Sequence, residues 1–202
     1  MSPAGQRGSS PGEDDAAVIG RSLADPDTFA VIFDRHSPAI ARYLARRLGR
    51  QIADDLLAET FLAAFRTRKQ YDLTRPHALP WLYGIATNML ARHRREEARE
   101  LRLLAAVPVE DAEEGHAERV AAQVTAEAMN GLLRQALAGL ADGDRDVLLL
   151  VAWEGLAYDE VAAALEIPVG TVRSRLHRAR KKVRVVLDLP DPATHEEITH
   201  HG

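Results

Sequence analysis

No cysteine occurs in the 202 residues, which removes disulfides and thiolate metal sites and fits a reducing compartment. Aromatic residues make up only 5%, and strand-like alternation is scarce, so burial has to come from aliphatic side chains at helical spacing. There is no apolar signal core at the N-terminus and no window that approaches a membrane span, so a soluble cytoplasmic protein without membrane insertion is expected. Also missing is any cluster of His, Cys, Ser or carboxylate residues that resembles a catalytic constellation, so no enzyme, cofactor or metal site is expected. His195, His200 and His201 near the C-terminus have no scaffold to fix them as ligands. The net charge of −4 argues against a protein that coats nucleic acid indiscriminately.

What is present is 46% hydrophobic residues, rich in alanine and leucine, enough for a core and consistent with an all-α fold. The charges are segregated along the chain. Acid gathers at Glu13 to Asp15, Asp54 to Glu59 and Glu110 to Glu118, while base gathers at Arg92 to Arg102 and Arg173 to Arg184. Two basic stretches suggest two nucleic-acid contacts, and the acidic surfaces are left for other partners.

In chain order, residues 1–24 are rich in Gly, Ser and Pro and are expected to form a disordered tail. A helical unit is expected over 25–105. It begins with a helix capped by Asp25 or Asp27, which Pro38 should kink or split and Gly49 should end. In the next helix Leu57, Phe61, Ala64 and Phe65 face inward. Asp55 and Glu59 lie one turn apart on its other side, where like charges cost a few tenths of a kcal/mol in an isolated helix. A basic partner surface would relieve that repulsion, though from this helix alone a solvated acidic face is the favoured reading. Residues 72–80, DLTRPHALP, read as an ordered loop. Pro80 then opens a long helix in which Trp81, Tyr83 and Asn88 precede Arg92, Arg94, Arg95 and Arg99. An aromatic and amide surface beside a basic ridge suits unstacked bases, and Trp81 and Tyr83 suit a core as well.

Residues 106–123 form an acidic linker without helical period. Beyond it a four-helix unit is expected over 124–189, followed by a tail over 190–202. Its last two helices are the most informative. Val172, Leu176, Ala179, Val183 and Val186 build one apolar stripe, and Arg173, His177, Arg180, Lys181 and Arg184 build a cationic face, flanked by Arg175, Arg178 and Lys182. A short helix with Val161, Ala162 and Leu165 inward precedes, joined across Glu166, Ile167 and Pro168. This is a helix-turn-helix pattern, in which a basic helix can enter a major groove while its back packs on the domain.

The segments DDLLAETFLAAF, WLYGIATNMLARHRRE, the acidic linker and LLLVAWEGLAYDEVAAALEIPVGTVRSRLHRARKKV, in that order, resemble the extracytoplasmic-function (ECF) group of bacterial RNA polymerase sigma factors over about residues 25–187. The resemblance implies two helical domains, sigma-two and sigma-four, that bind core RNA polymerase through its beta-prime clamp helices and beta flap. It implies promoter DNA as the second partner and, commonly, an anti-sigma factor as a third. Asp55, Glu59 and Phe65 match the clamp-binding surface. Asp72, Leu73, Thr74, Arg75, Pro76, His77, Ala78 and Asn88 match the region that captures an extruded base of the −10 element, with Arg92 and Arg95 near the backbone. Thr171, Arg173, Ser174 and His177 match the helix that reads the −35 element, with Arg175, Arg178 and Arg180 suited to phosphates. The departures are Ala157 where a capping Ser or Thr is common, Glu166 where the turn often has Gly, and Ala58 in place of a common Gln.

The competing expectation is a helix-turn-helix regulator with an N-terminal sensing or dimerising half. Such a protein would not need DDLLAETF and WLYGIATN in that half.

Overall fold

The computed structural model describes residues 13–48, 50–105 and 124–187, and among them every regular element is helical. The helices are α1 (Asp15–Ser22), α2 (Ala30–Leu48), α3 (Arg50–Thr67), α4 (Leu79–Ala105), α5 (Val124–Ala138), α6 (Asp142–Ala152), α7 (Tyr158–Ala164) and α8 (Val169–Val186). The chain divides into two units, residues up to Arg95 making most of the first and those from Glu96 most of the second. The linker expected over 106–123, the tail over 190–202 with its three histidines, and residues 1–12 lie outside the described residues.

In the first unit, α2 packs against both α3 and α1. Their apolar stripes supply the core: Ile32, Ile40, Tyr43 and Leu44 from α2, Leu56, Phe61 and Ala64 from α3, and Leu82, Tyr83, Ala86 and Leu90 from α4. Tyr43 ties α2 to α4, its ring edge-on to Tyr83 at 5.2 Å and its hydroxyl 2.8 Å from Thr87 Oγ1. Each such aromatic pair adds about 1 kcal/mol to the burial itself.

Three expectations are corrected here, and one open alternative is decided. Residues 15–22, assigned to a disordered tail, form α1. Asp14 caps that helix by accepting from Ala17 N–H at 2.8 Å, and Val18 and Ile19 are fully buried. The Gly, Ser and Pro content of the preceding residues masked a four-residue apolar patch. Pro38 does not split α2, which runs unbroken through it. Pro38 is exposed, so water can serve the carbonyl one turn back that loses its partner. The helix expected from Asp25 starts instead with a 3-10 turn, Pro26–Phe29. Tyr83 belongs to the core, whereas Trp81 is half-buried against Tyr71 at 4.9 Å.

In the second unit, α8 packs on α6 and α5. Val172, Leu176 and Ala179 of α8 are buried with Val147, Leu149 and Leu150 of α6, as the periodicity requires. The end of α5 is closed from outside the helix. Arg145 donates to the carbonyls of Leu137 (2.8 Å) and Leu140 (2.9 Å), and Lys182 donates to Gly139. Cations serve well there, because the last carbonyls of a helix carry its partial negative charge.

Candidate nucleic-acid and polymerase interfaces

The helix-turn-helix is built from local backbone rules. Gly155, at φ 71°, turns the chain after α6, and Ala157 N–H donates to Glu160 Oε2 at 2.8 Å at the start of α7. That is half of a capping box. Alanine at 157 has no hydroxyl to return the bond to the third residue of the helix. Ala157→Ser is therefore expected to stabilise the second unit by about 1 kcal/mol, read as a higher midpoint in thermal unfolding; an unchanged midpoint would deny the missing cap.

At the other end of α7, Ile167 N–H bonds Ala162 C=O at 3.0 Å and Glu166 N–H faces Ala163 C=O at 3.4 Å. This pair of bonds is a Schellman motif, and it forces the residue at its centre into the left-handed region. That residue is Glu166, at φ 53°, a conformation that favours glycine. Pro168 follows as the N-cap of α8 and its carbonyl accepts from Thr171 and Val172, so it stands one position before the first helical turn. Nothing approaches Gly170 within 4 Å, which leaves the start of α8 open.

The cationic face of α8 is split into two rows. Arg173, His177, Arg180, Lys181 and Arg184 line a shallow groove of about 330 Å³ with Tyr158 of α7 at its edge. The other row leans back onto the helix bundle. Arg178 makes a two-pronged pair with Asp144 (2.8 and 3.1 Å), the Arg175 guanidinium lies over Gly143, and Lys182 is occupied at Gly139. Of the residues expected at DNA, Arg173, His177 and Arg180 thus share one surface. Arg175 and Arg178 are engaged elsewhere within the unit. Ser174 is exposed and donates its hydroxyl to Thr171 C=O at 3.0 Å, leaving its oxygen free to accept from a base. Thr171 itself is half-buried.

In the first unit, the loop after α3 is a preformed surface. Asp72 accepts from Thr74 N–H (3.0 Å), Thr74 Oγ1 (2.7 Å) and Arg75 Nε (3.3 Å), an Asx turn. The hydrogen bonds from the Thr74 side chain and backbone, and then the Arg75 charge, hold the Asp72 carboxyl below its ordinary pKa. Tyr71 donates to Arg75 C=O at 2.7 Å. Burial, and next the negative charge of Asp15, push the Tyr71 phenol up to about 12, so this donor keeps its proton. Leu73, Thr74, Arg75, Pro76 and His77 are exposed on the rim. Ala78 is buried, and it anchors the loop instead of presenting a contact. Asn88, Arg92 and Arg95 are exposed along one face of α4 at spacings of four and three.

Asp15 at the start of α1 holds this loop. It is buried, and it accepts from Arg35 Nη1 (3.0 Å), His36 Nε2 (2.8 Å) and Ala78 N–H (2.8 Å). Burial alone would raise its pKa. The His36 and Ala78 hydrogen bonds, the His36 charge and the Arg35 hydrogen bond outweigh that and lower it to about 2. A carboxyl depressed in the folded state stabilises above its unfolded value and loses the contribution as pH falls through its folded value. From the values 3.8 unfolded and about 2 folded, about 2 kcal/mol should disappear between pH 4 and 2. Urea unfolding across that range should show the loss in the native protein, and Asp15→Asn should lack it; parallel curves would contradict the assignment.

On α3, Asp55 and Glu59 are exposed on one face, as expected. Ile52 and Leu62 extend the same face and are also exposed, Leu62 by 47%, so the acidic pair sits inside an apolar stripe. The expected inward side of α3 does not show this, because it includes Leu57, which is half-buried. The buried set is Ala53, Leu56, Thr60, Phe61 and Ala64, and Ile52 and Leu62 fall outside it. Phe65 is half-buried, edge-on to Phe29 at 5.5 Å, with the Arg68 guanidinium 3.8 Å over its ring.

Among the described residues no group of His, Asp and Glu is placed to hold a metal ion, and no helix is long and apolar enough to cross a membrane. A family model described as Sigma-70 region 2 matches residues 32–100, and one described as Sigma-70, region 4 matches residues 130–183. The chain is 31% identical over 167 residues to the ECF RNA polymerase sigma factor SigW of Bacillus subtilis, covering 79% of this chain and 89% of that protein. It is 30% identical over 173 residues to the ECF RNA polymerase sigma factor SigL of Mycobacterium tuberculosis, covering 85% and 96%. Among solved structures it is similar to the sigma factor RpoE in complex with the anti-sigma factor NepR from Bartonella quintana. The TM-score is 0.60 at 21% identity, covering 81% of this chain and 98% of that one, a likeness of fold. It is also similar to CnrH in complex with the cytosolic domain of CnrY, with a TM-score of 0.58 at 27% identity, covering 86% and 97%.

Two helical regions, the second carrying a helix-turn-helix with a basic outer row, define a DNA-binding transcription protein. The chain belongs to the ECF group of RNA polymerase sigma factors. It is a promoter-recognising factor that directs transcription initiation, and not an enzyme.

Proposed function

We propose that the two surfaces divide promoter recognition between them. Arg173, Ser174 and His177 of α8 read base edges of the −35 element, while Arg180, Lys181 and Arg184 meet phosphates. Loop residues 72–77, with Asn88, Arg92 and Arg95 of α4, take an extruded base of the −10 element and its backbone. The α3 stripe of Ile52, Asp55, Glu59 and Leu62 docks on the beta-prime clamp helices of core polymerase, and the second unit meets the beta flap. In this reading residues 25–105 with α1 act as the sigma-two domain, 106–123 as the connector and 124–189 as the sigma-four domain, working in the cytoplasm. The complex of the sigma factor RpoE, a protein of similar fold, with the anti-sigma factor NepR supports an anti-sigma factor as a further partner.

The observation that carries the reading is the outer row of α8, whose basic side chains line one open groove, while Arg178 and Lys182 of the other row are bonded within the unit. Unstacking a base costs a few kcal/mol, which a preformed loop and backbone contacts can offset. The test is transcription from a random promoter library by purified core polymerase with and without this protein. Selective initiation is expected only with it, and initiation by core alone at the same sites would refute the reading. Glu59→Lys should weaken core affinity by about tenfold while leaving the helix content intact, because a reversed charge meets a basic partner surface. Unchanged co-elution with core would remove Glu59 from the interface.

A further inference from the structure

We propose that Asp15 is a positioning residue for promoter melting: α1 clamps the loop that takes the −10 base. The proposal rests on the assignment of residues 72–77 to that base. Asp15 precedes the region 2 match, which starts at residue 32, and it is not itself among the residues expected at DNA.

The clamp has two points of attachment on the loop. Asp15 N–H donates to Pro76 C=O at 3.0 Å, and Asp15 Oδ2 accepts from Ala78 N–H at 2.8 Å. These groups flank His77, so the peptide units on both sides of that exposed residue are held by a single α1 residue. Two more contacts complete the hold. Tyr71 donates to Arg75 C=O, and the Leu73 side chain lies near Gly20 of α1.

Asp15 is itself held rigid. Arg35 bonds its Oδ1 and the Glu13 carbonyl through the same nitrogen, and His36 bonds Oδ2. A buried carboxylate is costly unless its lone pairs are filled, and this one is filled by α2 on one side and by the loop on the other. The loop is therefore ordered before DNA arrives. A loop that had to order on capturing a base would spend binding energy on its own conformational entropy.

The role predicts a defect confined to base capture. Holoenzyme is assembled from core and full-length chain. Its affinity is measured for single-stranded −10 oligonucleotides taken from a selected promoter, intact and with each base in turn replaced by an abasic site. Asp15→Ala should weaken intact-strand binding by about tenfold and shrink the penalty of the most damaging abasic site, as loss of a charged hydrogen-bonded anchor implies. Core affinity and binding of a −35 duplex should stay within about twofold. Asp15→Asn keeps the shape and one acceptor, and should show the same shrinkage in smaller measure even where Asp15→Ala fails to fold.

An unchanged abasic penalty in Asp15→Asn, or a parallel loss of core affinity, would overturn the proposal. Arg75→Ala separates this failure from failure of the loop assignment. If Arg75→Ala weakens capture and the Asp15 variants do not, the clamp falls and the assignment stands. If no abasic site and no loop variant matters, both fall.

Discussion

Replacing Leu176 by alanine is expected to remove about 3 kcal/mol from the stability of the second unit and to abolish its upstream DNA binding. Leu176 is 2% exposed at the middle of the α8 stripe, between fully buried Val172 and Ala179, and the helix packs on both α5 and α6. Truncation leaves a cavity at that junction which rigid neighbours refill only in part. The described part of this unit is small, so about 3 kcal/mol is a large share of what a domain of its size holds. Function goes with the fold because the apolar stripe and the basic row are two sides of one helix. The two tryptophans make the measurement direct: Trp153 ends α6 and Trp81 lies in α4. Urea unfolding followed by Trp153 fluorescence in a Trp81→Phe background should show the shift. A loss below about 1 kcal/mol would mean that the site collapses around the smaller side chain.

Arg173→Ala is the second large effect expected, and it concerns selectivity. Arg173 is exposed in the outer row, where an arginine can hold a guanine edge with two bonds. Its loss should cost about tenfold to a hundredfold in affinity for the preferred −35 sequence and should level the preference at one position, since a bidentate pair discriminates by about 1 to 3 kcal/mol. Arg178→Ala should behave differently. Its guanidinium is bonded to Asp144, so it neutralises phosphate only by giving up that carboxylate. The salt dependence of binding should flatten more in Arg180→Ala than in Arg178→Ala, each with its sequence profile preserved. Affinities over a set of −35 variants at several salt concentrations decide this. Equal profiles for Arg173→Ala and Arg180→Ala would refute the division between base and phosphate contacts.

The helical period already separates Arg173, His177, Arg180, Lys181 and Arg184 from Arg175, Arg178 and Lys182, but what the second row does was not legible in the residues. Arg175, Arg178 and Arg180 were all expected at phosphates. The difference lies in Asp144 and Gly143 on α6, which sequence periodicity does not bring beside α8. The clamp on the loop shows the same limit. Asp15 reads as one acid among several in a polar N-terminal stretch, and its partners Arg35, His36 and Ala78 are 20 to 63 positions away. Ile52 and Leu62 are a different case. The expected inward side took in Leu57 and Phe65, whereas α3 buries Ala53, Leu56, Thr60, Phe61 and Ala64, so the exposed stripe was missed through a small error of register.

What the sequence determined by itself is what depends on near neighbours. The spacing of Val172, Leu176 and Ala179 set α8 and its buried side, and the helix-turn-helix and the all-helical fold follow from such stripes. The turn before α8 is equally local, since a Schellman motif needs a left-handed residue whatever surrounds it, here Glu166. Tertiary structure decided which polar groups are occupied and which are left for a partner. It set Arg178 against Asp144 and Asp15 against the loop, and it drew Tyr83 into the core. The physical reason is reach: helical period orders groups within a few turns, whereas a hydrogen bond between distant segments exists only once packing has brought them together.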